Sequence, residues 1–254
     1  MLIAMAVWDT VQNKRTWMTE VTLRSLDNTV DFRRHRLIIS DNGSCDETLK
    51  LYAQLNLHAD IILNGENIGT ANAINKAWKR RNKGEHAVKM DNDVRIHQSG
   101  WCDWMEDAFS RDPELGILGL KRRDLSENPF DGTSTIRMLP HETGQRWITV
   151  EEVEHVMGTC QGYSSTLLDR IGFLTQPGVY GFDDSLASLR AKVAGFKRAF
   201  LCGFDIDHVD PGGTEFSRWK IDQANQVWKA YKWQANLYLM KAEDVYFDGG
   251  TDEL

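Results

Sequence analysis

His86-Ala87-Val88-Lys89-Met90-Asp91-Asn92-Asp93 is a short, mostly apolar run that ends in two carboxylates one residue apart. Along a strand, side chains at i and i+2 share a face, so Asp91 and Asp93 project together while Asn92 projects away. Two hard oxygen ligands where a strand stops suit Mg²⁺ or Mn²⁺ shared with a phosphate-bearing substrate. The D-x-D spacing alone is common, so the sequence around it decides its meaning.

Upstream, apolar runs of strand length at Leu2–Trp8, Leu37–Ile39 and Ile61–Leu63 alternate with helical periodicity. Trp17–Leu26 repeats Met18, Val21, Leu23 and Leu26, and Thr70–Arg81 puts Ala71, Ile74 and Trp78 on one stripe. Between them, Asp46 is expected to cap a helix through about Leu57, with Glu47 favourable in its first turn. Strand and helix joined by short connections predict a parallel sheet covered by helices. Ligands of such sheets sit outside the carboxyl ends of the strands. Asp9, Asp41 and the pair Asp91/Asp93 each follow a strand, so all are expected to line one crevice.

Downstream, Trp101–Arg111 reads as a helix and Leu115–Leu120 as a strand. Residues 121–150 carry weak periodicity, Pro129, Pro140 and several glycines, and read as a long, partly irregular excursion of the kind that carries function. Val153–Gly158 reads as a strand, Ser165–Arg170 as a helical turn and Leu186–Ala194 as a helix. Two short strands, Arg198–Cys202 and Ile206–Val209, precede a break at Asp210-Pro211-Gly212-Gly213. A last helix from Phe216 to about Ala242 would be ~40 Å long. Its aromatics (Phe216, Trp219, Trp228, Tyr231, Trp233, Tyr238) fall on more than one stripe. That points to packing on the domain or a homodimer contact, with a membrane surface as the alternative because Lys220, Lys229, Lys232 and Lys241 accompany them.

The 254 residues, 41% hydrophobic, suffice for one sizeable core. No apolar run approaches the ~20 residues of a membrane span. Met1–Val7 lacks a basic leader and reads as a buried strand, not a signal peptide. A net charge of −7 argues against a general polyanion binder. The basic clusters Arg33-Arg34-His35-Arg36, Lys79-Arg80-Arg81 with Lys83, and Lys121-Arg122-Arg123 read singly as solvated helix ends and loops. Cys45, Cys102, Cys160 and Cys202 are far apart, as expected of reduced thiols in a cytoplasmic protein. The final Thr-Asp-Glu-Leu lacks the lysine of a retention signal and reads as coincidence.

Taken in order, the motifs resemble those of family-2-like glycosyltransferases of the GT-A fold. Ser40-Asp41-Asn42-Gly43-Ser44-Cys45-Asp46-Glu47-Thr48 is similar to the family's D-D-G-S-x-D-x-T turn, and Asn67-Ile68-Gly69 with Asn75 to its N-x-G…N element. Asp91-Asn92-Asp93 stands where the family has D-x-D. Gly100-Trp101 through Asp112-Pro113 and Gly116–Gly119 follow as expected. Gly158, Leu167–Phe173, Tyr180, Asp183-Asp184, Arg190, Gly195 and His208 continue the pattern, so the resemblance spans about residues 2–211. Asp183 replaces the usual Glu, Leu186 stands where a second Asp is common, and Asn42 replaces the second Asp of the early turn.

The resemblance implies an α/β, GT-A-type single domain with a mostly parallel central sheet flanked by helices. Residues 1–120 would form a Rossmann-like donor half, 121–212 the acceptor and catalytic half, and 213–254 a helical extension. It implies a metal-dependent enzyme moving a sugar from a nucleotide-diphosphate donor, expected to be a UDP-sugar, to an acceptor hydroxyl. Asp93 would bind Mn²⁺ or Mg²⁺, Asp91 would reach the ribose or a metal-bound water, and His208 would complete the coordination. Trp8, Asp9, Asp41, Asn67, Gly69, Asn75, Asp91, Asn92 and Gly158 form the implied donor-binding group, with Asp41 on the base and Trp8 or Asp9 beside it. Asp184, or else Asp183, would take the acceptor's proton. Attack from the face opposite the leaving group would then invert the anomeric centre.

Plainer roles stand beside these. Asp41 could close an Asx-turn, Asp183-Asp184 could cap a helix, and His208 could be a satisfied polar residue. Gly158 and Gly172 could be turn glycines, and Trp101 and Trp104 core residues. A nucleotidyltransferase needs a Gly-rich basic loop after the first strand, and Asp9–Arg15 contains no Gly. A non-catalytic sugar- or nucleotide-binding module has no need of a base and a metal, and no G-x-G-x-x-G follows a strand to support a dinucleotide oxidoreductase. The acceptor stays open among a glycan, a lipid-linked sugar, a protein side chain and a modified nucleic-acid base. The last requires the basic clusters to converge beside the cleft.

Overall fold

The computed structural model describes residues 1–55, 58–124, 134–140 and 147–231, with backbone alone for 227–231. In chain order the elements are β1 (Leu2–Val7), α1 (Thr16–Thr29), β2 (Arg36–Asp41), α2 (Asp46–Gln54), β3 (Ala59–Leu63), α3 (Thr70–Trp78) and β4 (Ala87–Met90). Then come β5 (Val94–Ile96), α4 (Trp101–Arg111), β6 (Leu115–Gly119), β7 (Thr135–Pro140), β8 (Trp147–Glu152) and β9 (Cys160–Tyr163). α5 (Ser165–Ile171), α6 (Asp183–Val193), β10 (Lys197–Leu201), β11 (Ile206–His208) and α7 (Glu215–Tyr231) complete the described chain.

Among the described residues one nine-stranded sheet runs β3-β2-β1-β4-β9-β6-β10-β8-β7, and β11 pairs with β5 beside it. The four strands β3, β2, β1 and β4 are mutually parallel, as strand–helix alternation predicts. Beyond β4 the sheet is mixed, because β9 runs antiparallel to both β4 and β6. β1 is buried on both faces and alternates between two cores. Ile3, Met5 and Val7 pack with Leu23 and Leu26 of α1 and Met105 of α4. Leu2 and Ala4 pack with Ile74 and Trp78 of α3 and Leu167 of α5. The result is a three-layer α/β domain with helices on both faces of the sheet. No helix among the described residues is long and apolar enough to cross a membrane.

Cys45, not Asp46, is the N-cap of α2, and Asp46 is its first helical residue. Within residues 121–150, β7 and the start of β8 form an antiparallel hairpin at the sheet edge. Its outward face carries exposed Ile136, Met138 and Trp147, which hides the apolar-in, polar-out alternation that marks a half-buried strand. Val153–Gly158 is not a strand; the strand is Cys160–Tyr163, whose Gln161 and Gly162 have no strand signature and which is held by its neighbours β4 and β6. The helix expected from Leu186 begins at Asp183, so both acids lie in its first turn and Phe182 is the N-cap. The end of the expected α2 at Leu57, Pro129 and the stretch from Trp233 to Ala242 lie outside the described residues.

Candidate active site

Topology delivers the acids to one place. β1 and β4 are parallel neighbours, so Trp8 and the Asp91–Asp93 turn emerge side by side at their carboxyl ends. Because β9 is antiparallel to β4, its beginning lies at the same end, and the Asp91 amide donates to the Thr159 carbonyl (3.0 Å). β11 pairs antiparallel with β5, setting His208 opposite Val94, and the Val209 amide donates to the Asp93 carbonyl (2.8 Å). These segments enclose a cleft of about 310 Å³ lined by Asp91, Asp93, Asp183, Asp184 and His208.

On one side of the cleft Asp93 is buried, with His208 Nε2 3.4 Å from its Oδ2. Arg15 Nη2 donates to the same oxygen at 2.5 Å. Oδ1 is buried and has no hydrogen-bond partner among the described residues. Burial alone would raise this carboxyl, but the His208 imidazole, the Arg15 guanidinium and the Lys220 ammonium hold it well below the usual carboxylate range. The unpartnered Oδ1 of Asp93, with the His208 imidazole on the other side of the same carboxylate, could hold a divalent cation.

Lys89 forms the floor. Its ammonium is buried and donates to the Gly158 carbonyl at 2.7 Å, with Asp91 Oδ1 at 3.0 Å and Asp183 Oδ2 at 3.2 Å. Partial burial raises the Asp91 carboxyl above its ordinary range, even with the Lys89 ammonium pulling it down. One cation therefore joins the D-x-D turn to the start of α6.

The acids of α6 reach the cleft because the chain turns sharply before them. Gly181 (φ 89°) and Phe182 (φ 66°) both lie in the left-handed region, an unusual conformation for a bulky residue. Asp184 Oδ2 accepts from the Gly158 amide (3.0 Å), Oδ1 accepts from the Ser185 amide (2.7 Å), and His155 Nε2 stands 3.7 Å away. Burial opposes its charge, but His155, Lys89 and the Gly158 amide outweigh it and keep the carboxyl ionised well below the usual range. Gly158 is more than a turn residue. A Cβ there would stand 2.6 Å from Lys89 Nζ and 3.2 Å from Asp184, so only glycine lets its backbone serve both.

The other end of the cleft is aromatic. Trp219 of α7 packs 4.9 Å from Trp8 and 5.6 Å from Tyr180, and Phe216 stacks on Trp219 at 5.4 Å. The first turns of the C-terminal helix therefore pack on the domain itself, over its own site. The side chains of Trp228 and Tyr231 and everything from residue 232 onward lie outside the description.

Of the other expected donor residues, Asn67, Asn92 and Gly158 line the cleft, while Asp9, Asp41, Gly69 and Asn75 do not. Asp9 is fully buried beneath it and accepts hydrogen bonds from Thr19 (2.5 Å) and Asn92 (2.9 Å). Asp41 closes the turn its sequence suggested: Oδ1 accepts from the Gly43 and Ser44 amides and Oδ2 from the Tyr52 hydroxyl. Both acids sit at strand ends but face the core, so the expectation of one crevice holds for Asp91/Asp93 alone. Gly69 (φ 90°) is the N-cap of α3, and Asn75 clamps the backbone of Leu174 through both ends of its amide.

Sequence reasoning missed Arg15, Lys89, His155 and the cleft-facing part of α7. A lysine inside a fully buried strand, two residues before Asp91, was a signal open to detection. Arg15 carried none. In the basic clusters Arg33, Arg34, Arg36, Arg81, Lys121, Arg122 and Arg123 each pair with a nearby carboxylate, and Arg122 also lines the cleft.

Residues 13–172, more than half of the chain, match the family model described as Glycosyl transferase family 2. No curated protein sequence matches. Solved structures share the fold at low identity. The S. aureus TarS 1–349 structure is 14% identical at a TM-score of 0.58, covering 96% of this chain and 76% of that one. The mannosyltransferase PcManGT from Pyrobaculum calidifontis, in complex with GDP-Man and Mn²⁺, is 17% identical at a TM-score of 0.59, covering 96% and 68%. GalNAc-T7 with UDP, GalNAc and Mn²⁺ is 12% identical at a TM-score of 0.64, covering 93% and 49%. Asp183, Asp184, His208 and α7 all lie beyond the stretch that the family model matches.

Proposed function

The chain belongs to glycosyl transferase family 2, and we propose that it is a metal-dependent, inverting transferase that moves a sugar from a UDP-sugar to an acceptor hydroxyl. The observation that carries this reading is the meeting of Asp91, Asp93 and His208 with Asp183 and Asp184 around one cleft. Residues 1–120 supply the donor side, residues 121–212 the base and the acceptor side, and α7 covers the aromatic end. Two structural neighbours are complexes containing Mn²⁺ with GDP-Man or with UDP and GalNAc, which supports the donor class and the metal.

Asp93 and His208 would hold Mn²⁺ or Mg²⁺, with Asp91 beside them, and the ion would neutralise charge on the departing diphosphate. Trp8 offers a flat apolar face for the base, and Asn67 and Asn92 offer amides at the cleft wall. Asp184 receives the acceptor proton. As the acceptor oxygen bonds to the anomeric carbon, the bond to the phosphate oxygen breaks and the nucleoside diphosphate leaves with the electron pair. The attacking hydroxyl grows acidic as that bond forms, so a carboxylate held ionised, as Asp184 is, serves as the acceptor of a late proton. His155 and the Gly158 amide fix its orientation.

The test is nucleoside diphosphate release from a panel of UDP- and GDP-sugars with and without Mn²⁺. The expected result is Mn²⁺-dependent release from at least one UDP-sugar, lost in Asp93→Ala. Full turnover of every accepted donor by Asp93→Ala refutes the metal reading.

A further inference from the structure

Arg15 lies at the start of α1, outside every motif, yet its side chain is buried against the residue best placed to bind the metal. One arm of the guanidinium donates to Asp93 Oδ2 at 2.5 Å and the other to Asp210 Oδ2 at 2.6 Å. Its plane lies 4.4 Å from the Phe216 ring of α7. Asp210 is also 3.3 Å from Lys220 of α7. Arg15 thus bridges the metal-side carboxylate to the helix that covers the cleft.

A divalent cation on Oδ1 and a guanidinium on Oδ2 would repel each other across the one Asp93 carboxylate. We propose that Arg15 is the internal cation of the metal site: it holds Asp93 through Oδ2 when no divalent metal is bound, and its charge opposes a metal entering at the free Oδ1, so that it gives way when the metal binds. Arg15 then sets the metal affinity of the donor-free protein as a positioning residue. Asp210 is the partner it retains on leaving Asp93, and through Phe216 the exchange reaches α7. This rests on the metal site proposed above.

Arg15 and its partner Asp210 make opposite predictions, which a merely structural role for Arg15 does not. Removing Arg15 removes the competitor, so metal binds more tightly. Removing Asp210 strands the displaced guanidinium, so metal binds more weakly. The experiment is calorimetric titration of Mn²⁺ into donor-free wild type, R15M, R15K, D210N and D93N, each first checked for folding by circular dichroism. R15M is expected to bind Mn²⁺ roughly 10–100-fold more tightly, the range of a charged hydrogen bond. D210N is expected to bind several-fold more weakly, R15K to stay near wild type because it keeps the competing charge, and D93N to lose binding. Mg²⁺ should also change the near-ultraviolet dichroism of the Trp8–Phe216–Trp219 group in wild type, and not in R15M.

Unchanged or weaker Mn²⁺ affinity in R15M, or R15M and D210N moving in the same direction, overturns the role of Arg15. Loss of binding in D93N would then leave the metal site itself standing. Absence of Mn²⁺ binding in every protein, R15M included, removes the metal reading and this inference with it. If R15M does not fold, the D210N and R15K pair decides alone, since tighter binding in D210N contradicts the proposal.

Discussion

Replacing Lys89 by Met tests whether one buried cation holds the two halves of the site together. Methionine keeps a similar length and apolar stem but removes the charge. In the wild type the ammonium lies 3.0 Å from Asp91 and 3.2 Å from Asp183. At an effective dielectric of about 20 each contact is worth about 5 kcal/mol before desolvation. Burying the ammonium offsets much of that gain, and breaking a buried ion pair from one side costs about 3–5 kcal/mol net. Asp91 is 37% exposed, so water screens its share and the lower end of that range is expected. For a chain of this size the loss corresponds to a fall in Tm of roughly 6–20 °C. The sign with pH follows from the carboxylates. In the wild type, Lys89 is held charged well above its ordinary range, so its contribution is complete at neutral pH and is lost only on strong alkalinisation. In Lys89→Met the stranded Asp91 carboxylate takes up a proton as pH falls, so the deficit shrinks between pH 7 and 4. Urea melts of both proteins at pH 7 and pH 5 measure this. A variant within about 0.5 kcal/mol of wild type at pH 7, or a deficit that grows on acidification, refutes the reasoning.

Asp184→Asn should lower transfer by about 10²–10⁴-fold with donor KM unchanged, while Asp183→Asn should have the smaller effect; steady-state kinetics with the reverse ranking would make Asp183 the base. Asp9, whose carboxyl burial pushes up to about 6, contributes stability that is complete below its unfolded value of 3.8 and lost as pH rises through about 6. Wild type should therefore gain ~2 kcal/mol relative to Asp9→Asn between pH 7 and pH 4, read from denaturant midpoints, and parallel curves would contradict it. Gly43 has φ 80°, and a Cβ there would stand 2.8 Å from the Gly65 carbonyl oxygen. Gly43→Ala should cost more than about 1 kcal/mol in thermal melts, and a neutral result would mean that the turn can relax.

The parallel half of the sheet was legible because its signals are local. Apolar runs, helical stripes and turn formers alternate over short stretches, and backbone chemistry at that scale depends on near neighbours. The Asp91/Asp93 pair was legible for the same reason. β9 was not, since Cys160-Gln161-Gly162-Tyr163 becomes a strand only because β4 and β6 flank it. Asp9 and Asp41 show the limit of reasoning by position: an acid at a strand end can face the cleft or the core, and the choice depends on whether Thr19 or Tyr52 is there to receive it.

The sequence by itself determined a helix-covered α/β sheet, a pair of carboxylates where its fourth strand ends, and the order of motifs that marks a sugar transferase. Only the tertiary structure decided which cation each acid meets. Lys89 reaches Gly158 across 69 residues, and Arg15 reaches Asp93 across 78 and Asp210 across 195. Charges interact through space with a strength set by distance and burial, and neither quantity exists until the strand order, the antiparallel β9 and the placement of α7 have closed the cleft.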